Sequence, residues 1–152
     1  MIKKEDIQDQ LKYWLKNMFF EGSTTLIQSD VKFKLADFKF SADLIAIQSK
    51  SNIIHGFEIK SRLLQEDILS AIWQTNSYYT NYKWLVIQMI DKQLFESILS
   101  SEKLLGIGLI TFDSVKGEFS VWRQAKYTDG NFLKFIPELE VQWLTINKSE
   151  KK

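Results

Sequence analysis

Apolar residues near the start of the chain recur at helical spacing. Ile7, Leu11, Trp14, Leu15, Met18 and Phe19 form one stripe, with Asp9, Lys12 and Lys16 off it, which predicts an amphipathic helix over residues 3–20. Glu21-Gly22-Ser23 stops that helix, because glycine readily takes the backbone conformation that ends one. Residues 24–29 then read as a short β-rich segment. From Val31 the period becomes two: Val31, Phe33 and Leu35 alternate with Lys32 and Lys34, then Phe38 and Phe40 with Lys39 and Ser41. This pattern predicts two strands turning near Ala36-Asp37. The second continues through Ala42-Asp43-Leu44-Ile45-Ala46-Ile47, where Asp43 interrupts a buried run and by parity faces away from Phe38, Phe40 and Leu44.

After a turn over 48–52, residues 52–60 form an apolar strand that ends in charge. Alternation puts Ile53, His55, Phe57 and Ile59 on one face and Ile54, Gly56, Glu58 and Lys60 on the other, so the carboxylate and the ammonium point the same way. Charges at the end of an apolar strand need solvent or a polar role. Antiparallel pairing about the turn would bring Asp43 near Glu58. Residues 65–80 then read as a helix, with Ile68, Ile72 and Tyr79 on one stripe and Asp67, Ala71, Gln74 and Tyr78 on an adjacent one. Further along come a strand over 83–89, a helix opened by Asp91 and running to about Ser101, and strands over 106–112 and 118–127. The segment around Pro137 has no assignable pattern, and 148–152 reads as a frayed tail. This order of elements describes an α/β sandwich around a mixed sheet, in a single domain over 1–147.

Composition narrows the chemistry. At 152 residues, 45% hydrophobic and 26% charged, the chain has the makeup of one globular domain. It has no cysteine and one histidine, so thiolate zinc sites and histidine-rich cages are excluded. Any metal would be held by oxygen, which favours magnesium or manganese. The N-terminus lacks the apolar core of a signal peptide and no run is long enough to cross a membrane, so a cytoplasmic location with no membrane partner is expected. A formal net charge of +1 neither demands nor forbids nucleic acid.

Two carboxylates from different strands, Asp43 and Glu58, with Lys60 two residues on, suit phosphodiester hydrolysis. The carboxylates fit a hard divalent cation, and a lysine can orient the attacking water or offset developing charge. Gln74 and Tyr78, one helical turn apart, would face the same place from the helix. The tripeptide alone is weak, since Asp30-Val-Lys32, Asp37-Phe-Lys39 and Glu150-Lys-Lys152 match it too. Only Glu58 ends a buried strand, follows an aspartate on the preceding strand and precedes a helix with the Gln/Tyr pair. His55, between Ile53 and Phe57 on the other face, reads as a core histidine. Trp73, Tyr79, Tyr82 and Trp84 read as packing aromatics, and Lys32, Lys34 and Lys39 as a solvated strand face.

Asp43, Glu58-x-Lys60 and Gln74-x-x-x-Tyr78 together resemble the PD-(D/E)XK nuclease superfamily, in particular its RecB-type branch with QxxxY. The resemblance covers roughly residues 3–89. Ala42 stands where the name-giving motif has proline, and many members add a glutamate from the first helix, for which Glu5 is the choice ahead of Glu21. The resemblance implies a restriction-endonuclease-like fold with an αβββαβ core. It also implies a Mg2+- or Mn2+-dependent deoxyribonuclease, an endonuclease acting on DNA. Asp43 and Glu58 would be the metal ligands, Glu5 a further one, and Lys60, Gln74 and Tyr78 would complete the site. A homodimer or larger assembly would supply specificity to so small a domain. The alternative is an inactive nuclease fold serving as a DNA-binding or assembly subunit.

Overall fold

A computed structural model describes residues 3–23, 25–35, 38–48, 52–61, 68–88, 100, 104 and 106–150. Its centre is a six-stranded mixed sheet: β1 (Thr25–Leu35), β2 (Phe38–Gln48), β3 (Ile53–Lys60), β4 (Tyr82–Gln88), β5 (Gly108–Asp113) and β6 (Glu118–Arg123), side by side in chain order. β1, β2 and β3 form an antiparallel meander, β3, β4 and β5 run parallel, and β6 returns antiparallel. The middle strands β3 and β4 are buried almost end to end, as parallel strands covered on both faces must be.

One face of the sheet is covered by α1 (Lys4–Trp14) and the π-helical turn Leu15–Phe19 that extends it. Ile7, Leu11, Leu15 and Phe20 pack there on Leu44, Ala46, Phe57, Ile59, Trp84, Val86, Ile110 and Phe112. The turn alters the stripe read from the sequence. A bond from the Phe20 amide to the Leu15 carbonyl, five residues back, adds a residue to the turn and rotates the chain beyond it. Met18 is therefore 65% exposed, and Phe20 takes the core position. Gly22 comes next at φ +81°, the left-handed conformation expected of the stop.

The other face carries α2 (Ile68–Asn76), which crosses from β3 to the parallel β4, and the C-terminal segment, a 3₁₀ turn (Leu133–Phe135) followed by α3 (Pro137–Glu150). Ala71 and Ile72 of α2 meet Leu85, Ile87 and Leu109, while Leu133, Ile136, Leu139 and Trp143 cover Val31, Phe33, Ile45, Ile47 and Ile54. Pro137 occupies the first position of α3, where its missing N–H costs nothing. That helix runs through Glu150, across most of the segment read as a frayed tail. Three other readings shift: α2 ends at Asn76 rather than 80, β6 ends at Arg123 rather than 127, and the two β-rich pieces before Ala36 are one strand. The turn at Ala36-Asp37, residues 65–67, Met89 and the helix expected over 91–101, Ser100 apart, lie outside the described residues. Among the described residues, no helix is long and apolar enough to cross a membrane.

The β1–β2 ribbon changes faces midway. Its register runs through Ser29↔Leu44 and resumes at Val31↔Ala42, skipping Asp30 and Asp43. Asp30 sits there at φ +53°, a conformation aspartate tolerates better than most residues. Before this point Ile27, Leu44 and Ala46 pack toward α1; beyond it Val31, Phe33, Phe40 and Ala42 pack toward the C-terminal segment. Phe40 and Leu44 thus lie on opposite faces, and simple parity does not carry through Asp43.

Candidate functional site

β2 and β3 pair from Gln48↔Ile53 to Leu44↔Phe57 and then part. One step further, Asp43 and Glu58 would have been partners. The Asp43 carboxylate instead reaches across the opening, and its Oδ2 accepts the Ile59 amide at 2.7 Å. A side chain thus takes over from the backbone ladder where the strands diverge, and no buried N–H is stranded. The opening admits the start of α1. Gln8 Nε2 donates to the Asp43 carbonyl at 2.8 Å, and Lys4 Nζ lies 2.6 Å from Asp43 Oδ1.

A cavity of about 420 Å³ occupies this opening, lined by Lys4, Phe40, Ser41, Asp43, Glu58, Lys60, Gln74, Ser77 and Tyr78. Residues from both helical layers share it because the sheet is split there. Asp43, Glu58, Lys60, Gln74 and Tyr78, the five residues singled out in the sequence, all contribute. Glu5 does not line the cavity: it is exposed on α1, and its neighbour Lys4 turns in. A helix wheel distinguishes buried from exposed positions; it does not say which residue of a first turn reaches a gap in the sheet.

Glu58 and Lys60, on the same side of β3 by alternation, both face the cavity. Glu58 is buried at 6% exposure, and Lys60 Nζ lies 3.4 Å from Glu58 Oε1. Tyr78 donates its hydroxyl to Glu58 Oε2. Tyr78 comes from the turn after α2, not from the helix, and is buried while Gln74 remains exposed at the cavity wall. Gly56 makes room for the tyrosine: a Cβ there would stand 2.8 Å from Tyr78 Cδ2 and 3.0 Å from Thr80 Cγ2.

Burial raises the Glu58 pKa; the Asp43 charge adds to this, while the Tyr78 hydroxyl, Lys60 and Lys4 oppose it. Tyr78 is driven far up, first by burial and then by the Glu58 carboxylate, so it remains a protonated donor. Two neighbouring carboxylates, one of them buried, form an arrangement that a cation relieves. The donor set is all oxygen, as magnesium and manganese prefer. Among the described residues, no group of three or more histidine, cysteine, aspartate or glutamate side chains gathers to hold a metal. A divalent ion here would draw on Asp43 and Glu58 and complete its shell with water and substrate oxygens, the usual habit of magnesium.

His55 lies on the opposite face of β3. Its Nδ1 accepts the Trp84 indole N–H at 3.1 Å and its Nε2 lies 3.0 Å from Gln48 Oε1, so the neutral ring is satisfied on both sides. Burial lowers its pKa to about 3. Trp84 is fully buried, whereas Trp73, read as packing, is 72% exposed. Sequence reasoning missed Lys4, which belongs to no apolar pattern. It also missed Asn81, a buried bracket whose Oδ1 accepts the Ile54 amide at 2.9 Å and whose Nδ2 donates to the Thr128 and Gly130 carbonyls. An asparagine just before a buried strand was the only signal for it.

No protein-family model and no curated protein matches the chain. Among solved structures it is similar to a protein of unknown function from Silicibacter pomeroyi, with a TM-score of 0.51 and 13% identity over 84% of this chain and 82% of that one. At that identity the likeness speaks to the α/β fold alone.

Proposed function

We propose that the chain is a metal-dependent nuclease of the PD-(D/E)XK type, hydrolysing DNA phosphodiester bonds as an endonuclease on a restriction-endonuclease-like core. The supporting observation is the parting of β2 from β3, which puts Asp43, Glu58 and Lys60 in one cavity with Gln74 and Tyr78. Asp43 and Glu58 would hold Mg2+ or Mn2+, whose charge offsets that of the phosphoryl oxygens. Lys60, beside Glu58, orients the attacking water and stabilises the charge that forms. Tyr78 positions Glu58 through its hydroxyl. Gln74, exposed at the wall, is free to meet the phosphate backbone.

The test is incubation of purified protein with supercoiled plasmid and magnesium or manganese. Nicked and linear products are expected from the wild type, with a loss of at least about 100-fold in Lys60→Ala and Asp43→Asn at unchanged circular dichroism. A wild type no more active than Lys60→Ala would overturn the proposal. Sedimentation of the same sample tests the homodimer expected of so small a domain.

One observation favours a non-catalytic DNA-binding or assembly role on the same fold. Both Asp43 oxygens already have partners, Lys4 and the Ile59 amide, and Glu58 has Tyr78, so the cluster is also a satisfied structural bracket. On that reading the wild type binds duplex DNA without cutting it.

A further inference from the structure

Lys4 is the charged residue of the cavity lining that the proposed reaction does not use, and its placement is specific. It stands in the first turn of α1, where the unpaired backbone N–H groups favour negative rather than positive side chains. Its ammonium nevertheless lies 2.6 Å from Asp43 Oδ1, the shorter of the two lysine–carboxylate pairs in the cavity, the other being Lys60 and Glu58 at 3.4 Å. Asp43 is fixed independently of it. Its Oδ2 is held by the Ile59 amide and its backbone carbonyl by Gln8, so losing the lysine would not release the carboxylate. The partners also differ in freedom: the Lys4 side chain is 39% exposed, the Asp43 side chain 12%. A long side chain on a helix surface can leave a fixed carboxylate without moving backbone.

Building on the nuclease reading, we infer that Lys4 is an exchangeable counter-cation. It neutralises Asp43 while no metal is bound, gives up Oδ1 when a divalent ion is taken, and is then free at the cavity wall to pair with a phosphate of the nucleic acid. The carboxylate pair is thus never left uncompensated, which accounts for two acids persisting side by side in a half-closed cavity. Lys4 competes with the metal and assists the substrate, so its removal has opposite effects on the two ligands. A lysine that merely braced the fold would weaken both.

The experiment is calorimetric titration of Mn2+ into wild type, Lys4→Met and Asp43→Asn. Fluorescence anisotropy of a labelled DNA duplex is then measured, with Ca2+ in place of the active metal. Lys3→Met, an exposed neighbour, serves as the control for loss of charge. Lys4→Met is expected to bind Mn2+ about two- to fivefold more tightly than wild type, the range for a partly exposed ion pair, and to bind the duplex several-fold more weakly. Lys3→Met should match wild type in both, and Asp43→Asn should not bind Mn2+. Equal or weaker Mn2+ binding by Lys4→Met overturns the exchange while leaving the nuclease reading intact. Unchanged duplex binding overturns the hand-over to phosphate. An absence of Mn2+ binding in wild type and Lys4→Met alike overturns both the exchange and the metal-dependent reading.

Discussion

Gly56 shows how tightly the site depends on single atoms. Its missing side chain is the space in which Tyr78 lies, and Tyr78 in turn donates to Glu58. Gly56→Ala sets a methyl 2.8 Å from the ring and 3.0 Å from Thr80, so one or the other must shift. The expected cost is about 1–3 kcal/mol in urea denaturation, as for other overpacked cores. Tyr78→Phe keeps the packing and removes only the donor. Because Glu58 is already raised by burial, losing that hydroxyl raises it further, and an infrared titration of the carboxylate should show the upward move. The Glu58–Lys60 pair was legible in the sequence because alternation on β3 is strict and its charges break an apolar run, whereas Tyr78 was read on a helix that ends before it. Lys4 was not, since a surface lysine near a helix start resembles every other one until the gap in the sheet gives it a destination.

At the scale of elements, the presence of strands and helices was read better than their ends, β6 and α2 each being read four residues too long. Strands declare themselves through period two, whereas α2 ends and Tyr78 begins with no glycine or proline between them. The π-helical turn illustrates the same limit. Its sequence, LKNMF, continues a helical stripe without interruption, and only the Phe20–Leu15 bond shows that a residue has been inserted. Alanine substitution separates the two readings. Met18→Ala should change stability by no more than about 0.5 kcal/mol, and Phe20→Ala should lower it by about 3–5 kcal/mol. A helix continuing without the π turn would make Met18 the costly one. The C-terminal helix escaped notice because its apolar residues do not keep to one side: Val141 and Leu144 are exposed while Leu139 and Trp143 are buried.

For the molecule as a whole, the clearest electrostatic liability lies far from solvent. His55 is neutral in the folded protein, its pKa lowered from 6.5 to about 3 by burial, and regains its ordinary affinity for protons on unfolding. The unfolded chain therefore binds the extra proton, and folding stability falls as pH drops below about 6.5, the loss levelling off near the folded value. Between neutrality and about pH 5 the expected loss from this group is about 2 kcal/mol. Glu58, shifted upward, works in the opposite sense, because protonation relieves its buried charge. Denaturation of wild type and His55→Gln at both pH values isolates the histidine: the wild-type decline should be largely absent in the variant. An equally steep decline in both would show that the ring is not the group responsible.

The change of faces in the β1–β2 ribbon bears on how the chain finds its register. A uniform amphipathic hairpin that slips by one residue exposes one apolar row and can recover by slipping back. Here the half before Asp30 and Asp43 is covered on both faces, Ile27, Leu44 and Ala46 toward α1 and Leu26, Ile45 and Ile47 toward the C-terminal segment, while the half beyond them packs on the C-terminal side alone. A slip of β1 by one residue would therefore tell most in the far half, where Val31 and Phe33 would leave the C-terminal segment and the exposed Lys32 and Lys34 would turn toward it. Misalignment is thus penalised in the far half of the ribbon, and the residue at which the phase changes is the aspartate on which the proposed chemistry depends.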